Sequence, residues 1–296
     1  MRVLAVAVTY NPDPDLLARV LGSVAPQVQG IAVVDNNSSN ARSVRDAASA
    51  VRAHVLENEQ NLGIAAAQNQ GVALARDEGY SHILLLDQDT VLAAGVVADL
   101  SSHLAALEVE YDGVAAIGPA YYELNSERQT RAYQANGPLL SRRSLKGLDC
   151  PVESDFIIAS ASLVSLDTLD KIGSFKEDLF IDLVDVEWCL RARASGYQSF
   201  LSPTAAVEHR LGSTIARIGP RRVAVHVPIR NYYWVRNALW LSRQPYTPLA
   251  WRLYFISRAL IFPLVYTTLT DHRLMRLRLI CRGIWDSFTG HLGSLK

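Results

Sequence analysis

Three times before residue 93 this chain runs an apolar stretch straight into a cluster of acids and amides. "RVLAVAVTY" leads into Asn11-Pro12-Asp13, "GIAVVD" into Asn36-Asn37, and "HILLLD" into Gln88-Asp89-Thr90. A shorter run, "HVLENEQNLG", lies between the second and third. Such runs are too short for helices and too uniformly apolar for a half-exposed strand, so they read as strands buried on both faces. Helical patterns separate them: "DLLARVLGSV", which Asp15 can cap, "ARSVRDAASAVRA", and "IAAAQNQGVALARDEGY", closed by Gly79. Alternation of this kind predicts a parallel, doubly wound α/β sheet. Ligands of such sheets bind beyond the carboxyl ends of the strands. Tyr10-Asn11, Asp35-Asn36-Asn37 and Asp87-Gln88-Asp89 are therefore expected to converge on one rim.

The 296 residues, 49% of them hydrophobic, suffice for one large domain or a domain with an appendage. After residue 100 the pattern gives a helix ("LSSHLAALEVEY") and a strand ("GVAAIGPAYY"), then a polar, basic stretch over 126–149 expected as a loop. "SDFIIASASLVSLDTLDKIGSF" reads as strand, turn and helix, and "DLFIDLVDVEWCLRARASGY" as a loop turning into a helix that ends at Gly196. "QSFLSPTAAVEHRLG" is a late strand with Glu208 and His209 at its end. Cys150, Cys189 and Cys281 form neither a disulfide framework nor a zinc spacing, which suits a reducing cytoplasm. The N-terminal apolar run is read as a first strand, not a signal peptide.

Asp87-x-Asp89 is the most informative pair. Alternate residues of a regular strand face opposite sides, but where a strand gives way to a loop both carboxylates can reach one site. Hard oxygen ligands of this type suit Mg²⁺ or Mn²⁺ shared with a diphosphate; a polar turn with a capping acid would use the same residues. Asp35 could accept from a base N–H, or simply serve a turn. Asn61-Leu62-Gly63 opens a small-residue helix whose backbone a ligand could approach closely, or that simply packs well. Asp185, if it lies where the "VDVEWCLRARA" helix begins, can face a cleft as a general base; otherwise it is an ordinary N-terminal acid. His209 could be a third metal ligand or a structural histidine. "RNYYWVRN", with Arg230 and Arg236 around aromatics, could grip phosphates or be an amphipathic helix.

Taken together, "VAVTYNPD", "AVVDNNSSN", "NLGIAAAQNQG", "LLLDQDT", "GSFKEDLFIDLVDVEWCLRARASGY" and "RNYYWVRNALWL" resemble the family 2 inverting glycosyltransferases, and within them the bacterial rhamnosyltransferases. The resemblance covers residues 1–245 and implies a GT-A fold: a Rossmann-like, mixed but mostly parallel sheet flanked by helices, with a nucleotide-sugar half (about 1–100) and an acceptor half (about 101–245). It implies a dTDP-β-L-rhamnose donor and a saccharide acceptor of bacterial surface polysaccharide. It also implies a divalent metal on Asp87 and Asp89, with His209 a further candidate ligand. Tyr10, Asn11, Asp35, Asn61, Gly63, Asn69, Gln88, Arg191, Arg230 and Arg236 become candidate nucleotide-sugar contacts, and Asp185 falls on the base position. Where many relatives carry Glu-Asp, this chain has Val184-Asp185, so the support of that Glu passes to Asp182 or Glu187. Another donor, such as a UDP-hexose, and a non-catalytic nucleotide-sugar-binding scaffold remain the alternatives.

Residues 217–296 hold 13 Lys and Arg against only Asp271 and Asp286, which leaves the preceding residues with 16 basic and 27 acidic side chains. A basic extension (246–296) rich in Trp, Tyr and Leu fits an anionic membrane face, near a lipid-linked acceptor, better than nucleic acid. A helical hairpin packing on the catalytic part or forming a homodimer would look the same. The longest charge-free run here is Ala259–Thr270, short of the roughly 20 residues a spanning helix needs, so no transmembrane helix is expected.

Overall fold

The computed structural model describes residues 1–123, 128–209, 214–218, 221–225, 227–268 and 270–295. The first half runs β1 (Val3–Thr9), α1 (Pro14–Val24), β2 (Gly30–Asp35), α2 (Ala41–Ala50), β3 (His54–Glu57), α3 (Ile64–Asp77) and β4 (His82–Asp87). Next come β5 (Thr90–Leu92), α4 (Val96–Glu110), β6 (Val114–Glu123), β7 (Arg128–Gln129), β8 (Arg131–Asn136), β9 (Leu139–Ser144) and β10 (Val152–Ser154). The remainder is β11 (Ser162–Ser165), α5 (Leu166–Ile172), α6 (Val184–Ala194), β12 (Gln198–His209), β13 (Thr214–Ile218), β14 (Arg221–Val225), α7 (Pro228–Leu241), α8 (Leu249–Thr268) and α9 (Arg273–Thr289).

The main sheet has the order β10-β12-β6-β11-β4-β1-β2-β3. β1, β2, β3 and β4 are mutually parallel, as their apolar runs require. Leu4, Val6, Val34, Ile83 and Leu85 face one core, with α3, α5 and α6. Val3, Ala5, Ala7, Val33, Leu84 and Leu86 face the other, with α1 and α4. Each buried Val, Leu or Ile among them contributes about 1.5–3 kcal/mol, so the strands are pinned on both faces.

The purely parallel expectation from the apolar pattern is corrected at β11, which runs antiparallel to both β4 and β6. Six of the eight strands on the path still share one direction, which gives the mixed, mostly parallel sheet of a GT-A fold. Asp13, not Asp15, caps α1, accepting from Leu16 N at 2.9 Å, because Pro14 suits the first helical position. The stretch expected as a loop contains the β8–β9 hairpin, whose exposed Arg142 and Arg143 hide the strand pattern.

The last three helices pack together. Gly283 lets α9 approach α7: a Cβ there would come within 2.6 Å of Tyr232 O. Trp251 and Phe255 of α8 join Val186 and Leu190 of α6 in a third core, and Trp251 Nε1 donates to buried Asp155 at 2.7 Å. Among the described residues one helix, α8, is long and apolar enough to cross a membrane by length and composition alone: Leu249–Tyr266 has a mean hydropathy of 1.3 and is 28% buried. It has no charge-free run of spanning length, because it carries Arg252 and Arg258.

Candidate active site

A cleft of about 560 Å³ opens where the carboxyl ends of β1, β2 and β4 meet the start of α3. These strand ends form its floor. The facing wall is the segment Phe180–Asp185, with Arg230 from the first turn of α7.

On the floor, the pairing of Val8 with Asp87 carries β4 to the rim, and Asp87, Gln88 and Asp89 all line the cleft. Ser160 fixes the turn from behind: its Oγ accepts from Asp87 N at 3.3 Å and lies 2.6 Å from the buried Thr90 Oγ1. Gln88 Oε1 accepts from Tyr10 N at 2.8 Å, so the middle residue of the Asp-x-Asp turn locks it to the end of β1. The same contact leaves Tyr10 half exposed over the cleft.

Asp35 is handled differently. It is buried, and it accepts from Thr9 Oγ1 at 2.7 Å and from Ser38 N and Oγ at 2.9 and 2.5 Å. It joins two strand ends and lies behind the cleft lining, where Thr9 and Asn36 stand in its place. Asn11 is likewise turned to the loop, accepting from Ser39 N and Oγ at 2.8 Å. Asn36 bridges Gly63 O at 3.1 Å and Asn58 Nδ2 at 2.9 Å, and Asn61 Oδ1 accepts from Gly63 N at 2.9 Å. Gly63 is required twice: its φ is +88°, and a Cβ would meet Phe180 O at 2.5 Å. Ile64 N donates to that same Phe180 oxygen at 2.7 Å, joining floor to wall.

Asp185 is the second residue of α6, at the cleft surface. Its oxygens accept from Val186 N at 2.8 Å and Ala159 N at 3.2 Å. Burial nevertheless raises its carboxyl above the ordinary carboxylate range; these two N–H groups oppose that shift and Asp182 adds to it. Burial also raises the hydroxyl of Tyr121, and the charges of Asp87 and Asp185 raise it further. Asp182, not Glu187, is the second acid in the wall. It pairs with Arg230, whereas Glu187 is turned away to Arg191 Nε at 2.9 Å and Tyr246 Oη at 2.8 Å. Burial works against the charge of Arg230, but Asp182 overcomes it, with help from Asp87 and Asp185, and the guanidinium pKa is raised.

Besides Asn11 and Asp35, three further expected nucleotide-sugar contacts are absent from the cleft lining. Arg191 donates to Ile172 O and Ser174 O at 2.6 and 2.8 Å. Asn69 donates to Phe175 O and Glu177 Oε1 at 2.9 and 2.8 Å. Arg236 is fully buried behind the wall, with its guanidinium on Leu179 O and Gly293 O at 2.9 and 2.6 Å. Each of these side chains has main-chain or carboxylate partners that leave it no reach to the cleft. His209 lies opposite Thr90 in the β12–β5 ladder, which brings its backbone beside the Asp-x-Asp turn; its side chain lies outside the described structure.

Gln68 was not expected. It is 3% exposed, lines the cleft from α3, and its Oε1 has no hydrogen-bond partner within the protein. The only sequence signal was a glutamine in an otherwise apolar helical face. Among the described residues no group of three His, Cys, Asp or Glu side chains forms a metal site. The two carboxylates of the floor do fit Mg²⁺ or Mn²⁺, which is commonly held by one or two acids with substrate phosphates completing the shell.

A sheet of this topology with acids at its switch-side rim is the GT-A type, and residues 5–171 match the model of glycosyl transferase family 2. The chain belongs to that family and is a glycosyltransferase. It is 29% identical over 270 residues, 90% of its length and 87% of the relative's, to the dTDP-rhamnosyl transferase RfbF of Shigella flexneri. The S. aureus TarS 1–349 structure in complex with UDP-GlcNAc superposes with a TM-score of 0.60 at 15% identity, over 98% of this chain and 82% of that one. The structure of GalNAc-T7 with UDP, GalNAc and Mn²⁺ superposes with a TM-score of 0.57 at 16% identity, over 86% of this chain and 54% of that one.

Proposed function

We propose that this protein is an inverting rhamnosyltransferase that moves L-rhamnose from dTDP-β-L-rhamnose to a hydroxyl of a saccharide acceptor in bacterial surface polysaccharide synthesis. The observation that carries the mechanism is Asp185, a carboxylate of raised pKa facing the Asp87-Gln88-Asp89 turn across one cleft. The likeness to the Shigella dTDP-rhamnosyl transferase supports the donor.

In this reading the nucleotide lies along the floor, against Thr9, Tyr10, Asn36 and Asn61, with its diphosphate toward Asp87 and Asp89. A divalent ion held by those two acids would neutralise charge on the diphosphate. Arg230, which lines the cleft where Arg236 does not, faces the leaving group in this reading. Gln68 Oε1 accepts from a donor hydroxyl, which removes the cost of its buried, unmatched lone pairs. Asp185 takes the proton of the acceptor hydroxyl as its oxygen bonds to the anomeric carbon. The bond from that carbon to the diphosphate oxygen breaks on the opposite face, and dTDP leaves with the electron pair. Inversion of a β-L donor gives an α-L-rhamnoside. Residues 1–245 are assigned the catalytic role in this reading.

The extension supports peripheral contact with the cytoplasmic face of an anionic membrane, near a lipid-linked acceptor. Leu253, Ile256, Leu260 and Leu264 of α8 and Trp285 and Phe288 of α9 are exposed, with Arg273, Arg278 and Arg282 among them. Salt-sensitive flotation with anionic liposomes tests it; a concentration-dependent dimer without flotation favours a second copy on this surface.

A thermal-shift panel of dTDP-rhamnose, UDP-glucose, UDP-galactose and GDP-mannose, each with Mg²⁺ or Mn²⁺, tests the donor. The largest shift is expected with dTDP-rhamnose. A larger shift with a UDP-hexose would replace the donor, and no shift with any would overturn the reading.

A further inference from the structure

The wall that carries Asp185 is not regular backbone. Phe180, Asp182 and Leu183 hold φ of 64°, 67° and 62°, a region side chains other than glycine rarely occupy. Residues in such conformations persist only where surrounding contacts over-determine them. Here those contacts come largely from one adjacent pair on α7. Asn237 Nδ2 donates to the carbonyls of Leu179, Ile181 and Asp182 at 3.0, 2.8 and 2.8 Å. Arg236 Nη2 donates to the carbonyls of Leu179 and Asp178 at 2.9 and 3.3 Å. Arg236 Nε donates to Asn237 Oδ1 at 3.0 Å, which fixes which way the amide points. Both side chains are fully buried, and neither lines the cleft.

The second arm of Arg236 reaches the segment that follows α9. Its Nη1 donates to Gly293 O at 2.6 Å, and Gly293 N donates back to Asp178 O at 2.6 Å. Two residues on, Leu295 N donates to Tyr233 Oη at 2.9 Å, and the Tyr233 ring stacks on Phe180 with centroids 4.9 Å apart. Residues 290–295 thus lie across the back of the loop as a strap, with Arg236 as the bolt between the two.

We propose that Asn237, Arg236 and the Gly293 strap are positioning residues for the transfer step. They hold 178–183 in the one conformation that presents Asp185 to the acceptor hydroxyl. The end of the basic extension is then a working part of the catalytic centre, whatever else the extension binds. Loss of Asn237 removes the side-chain donor to the carbonyls of Ile181 and Asp182, and loss of Arg236 removes the guanidinium that joins 178–179 to Gly293 O. A displacement of about 1 Å at a reacting group is enough to cost on the order of a hundredfold in rate. The proposal rests on Asp185 being the base.

The test uses full-length wild type, Asn237→Ala, Gly293→Ala and Asp185→Asn, with kcat, donor Kd and thermal unfolding measured on each. Gly293 has φ of +89° and open space around it, so alanine there perturbs the strap through its backbone alone, remote from any ligand. Asn237→Ala is expected to lower kcat about a hundredfold and Gly293→Ala about threefold to tenfold, both leaving donor Kd within about twofold because the donor lies on the floor. Arg236→Lys, which keeps the charge but loses the fork, is expected to fall between wild type and Asn237→Ala. Wild-type kcat in Gly293→Ala and Asn237→Ala beside an inactive Asp185→Asn overturns the clamp and spares the base. A loss of kcat that only follows the unfolded fraction at the assay temperature also overturns it. Full activity in Asp185→Asn overturns the base assignment and the proposal with it.

Discussion

On the floor of the cleft, Asp87 and Asp89 stand at or just beyond the end of a parallel strand, with Asp35 behind the lining at the end of another; in the facing wall, Asp185 stands after a loop with three residues in left-handed backbone. The floor gets its rigidity from strands buried on both faces, and its polar side chains need only close the gaps between neighbouring ends. Asp35 does this for β1 and β2, and Gln88 for β4 and β1. Among the described residues no strand ladder backs the wall. Its shape comes from side chains that reach it from far along the chain, Arg236, Asn237 and the backbone of Gly293. In the proposed mechanism donor binding falls to the stiff sheet edge, and proton transfer to Asp185 falls to a separately braced loop that meets that edge at Gly63 and Ile64.

The joint between the two regions should fail hardest. Gly63→Ala is expected to cost about 3 kcal/mol or more, because it combines a positive φ with a backbone clash against Phe180 that no side chain can absorb. Chemical denaturation would measure it, and a loss under about 1 kcal/mol would mean that floor and wall are not locked at this point. Within the floor, Asp35→Ala strands the donors of Thr9 and Ser38 and is expected to cost about 2 kcal/mol, with weakened donor binding as the loop frees. If stability held while donor binding alone collapsed, Asp35 would be a direct nucleotide contact after all. Gln68→Leu is expected to leave the fold intact and to raise the donor KM by about tenfold or less, in line with one neutral hydrogen bond. An unchanged KM would remove Gln68 from the donor site.

The smallest effect distinguishes the two regions by pH. The folded-state pKa of Asp185 is raised by burial, so the fold favours its neutral form. Its contribution to stability is therefore fully present below the ordinary carboxylate range and is lost as pH rises through the raised value. Asp185→Asn removes that loss. The variant is expected to melt slightly above wild type at neutral pH, with the difference vanishing on acidification. A gap that widened toward low pH would mean the carboxylate is stabilised in its charged form. In the proposed mechanism Asp185 must be ionised to act as base, so activity is expected to fall as pH drops through its raised pKa.

Much of the floor was legible in the sequence because apolar runs ending in acids determine both the strands and the rim where they end. Asp87 and Asp89 are found where strand periodicity put them, and Asp185 lies at a helix start on the same cleft, a placement that spacing alone left open. What periodicity could not give was side-chain direction. Arg230 and Arg236 looked like a pair, yet six positions on a helix are about 600° of rotation, so one faces the cleft and the other the interior. Arg191 and Asn69 were drawn to carbonyls of the 172–177 segment, contacts set by how α3 and α6 pack and not by any local pattern. The wall carried the weakest signal. Of its left-handed residues only Asp182 is a type that tolerates that backbone readily, and the donors that hold it lie more than 50 positions away.

The division of labour between floor and wall is tested most directly by one paired measurement on Asp185→Asn, donor affinity by calorimetry and transfer by product formation with dTDP-β-L-rhamnose. Donor affinity is expected within about threefold of wild type, with transfer reduced by about a thousandfold or more, as removal of a base made only for the transition state requires. Near wild-type transfer, or a donor affinity lost along with it, would contradict the assignment of Asp185 to proton transfer and of the strand ends to the donor.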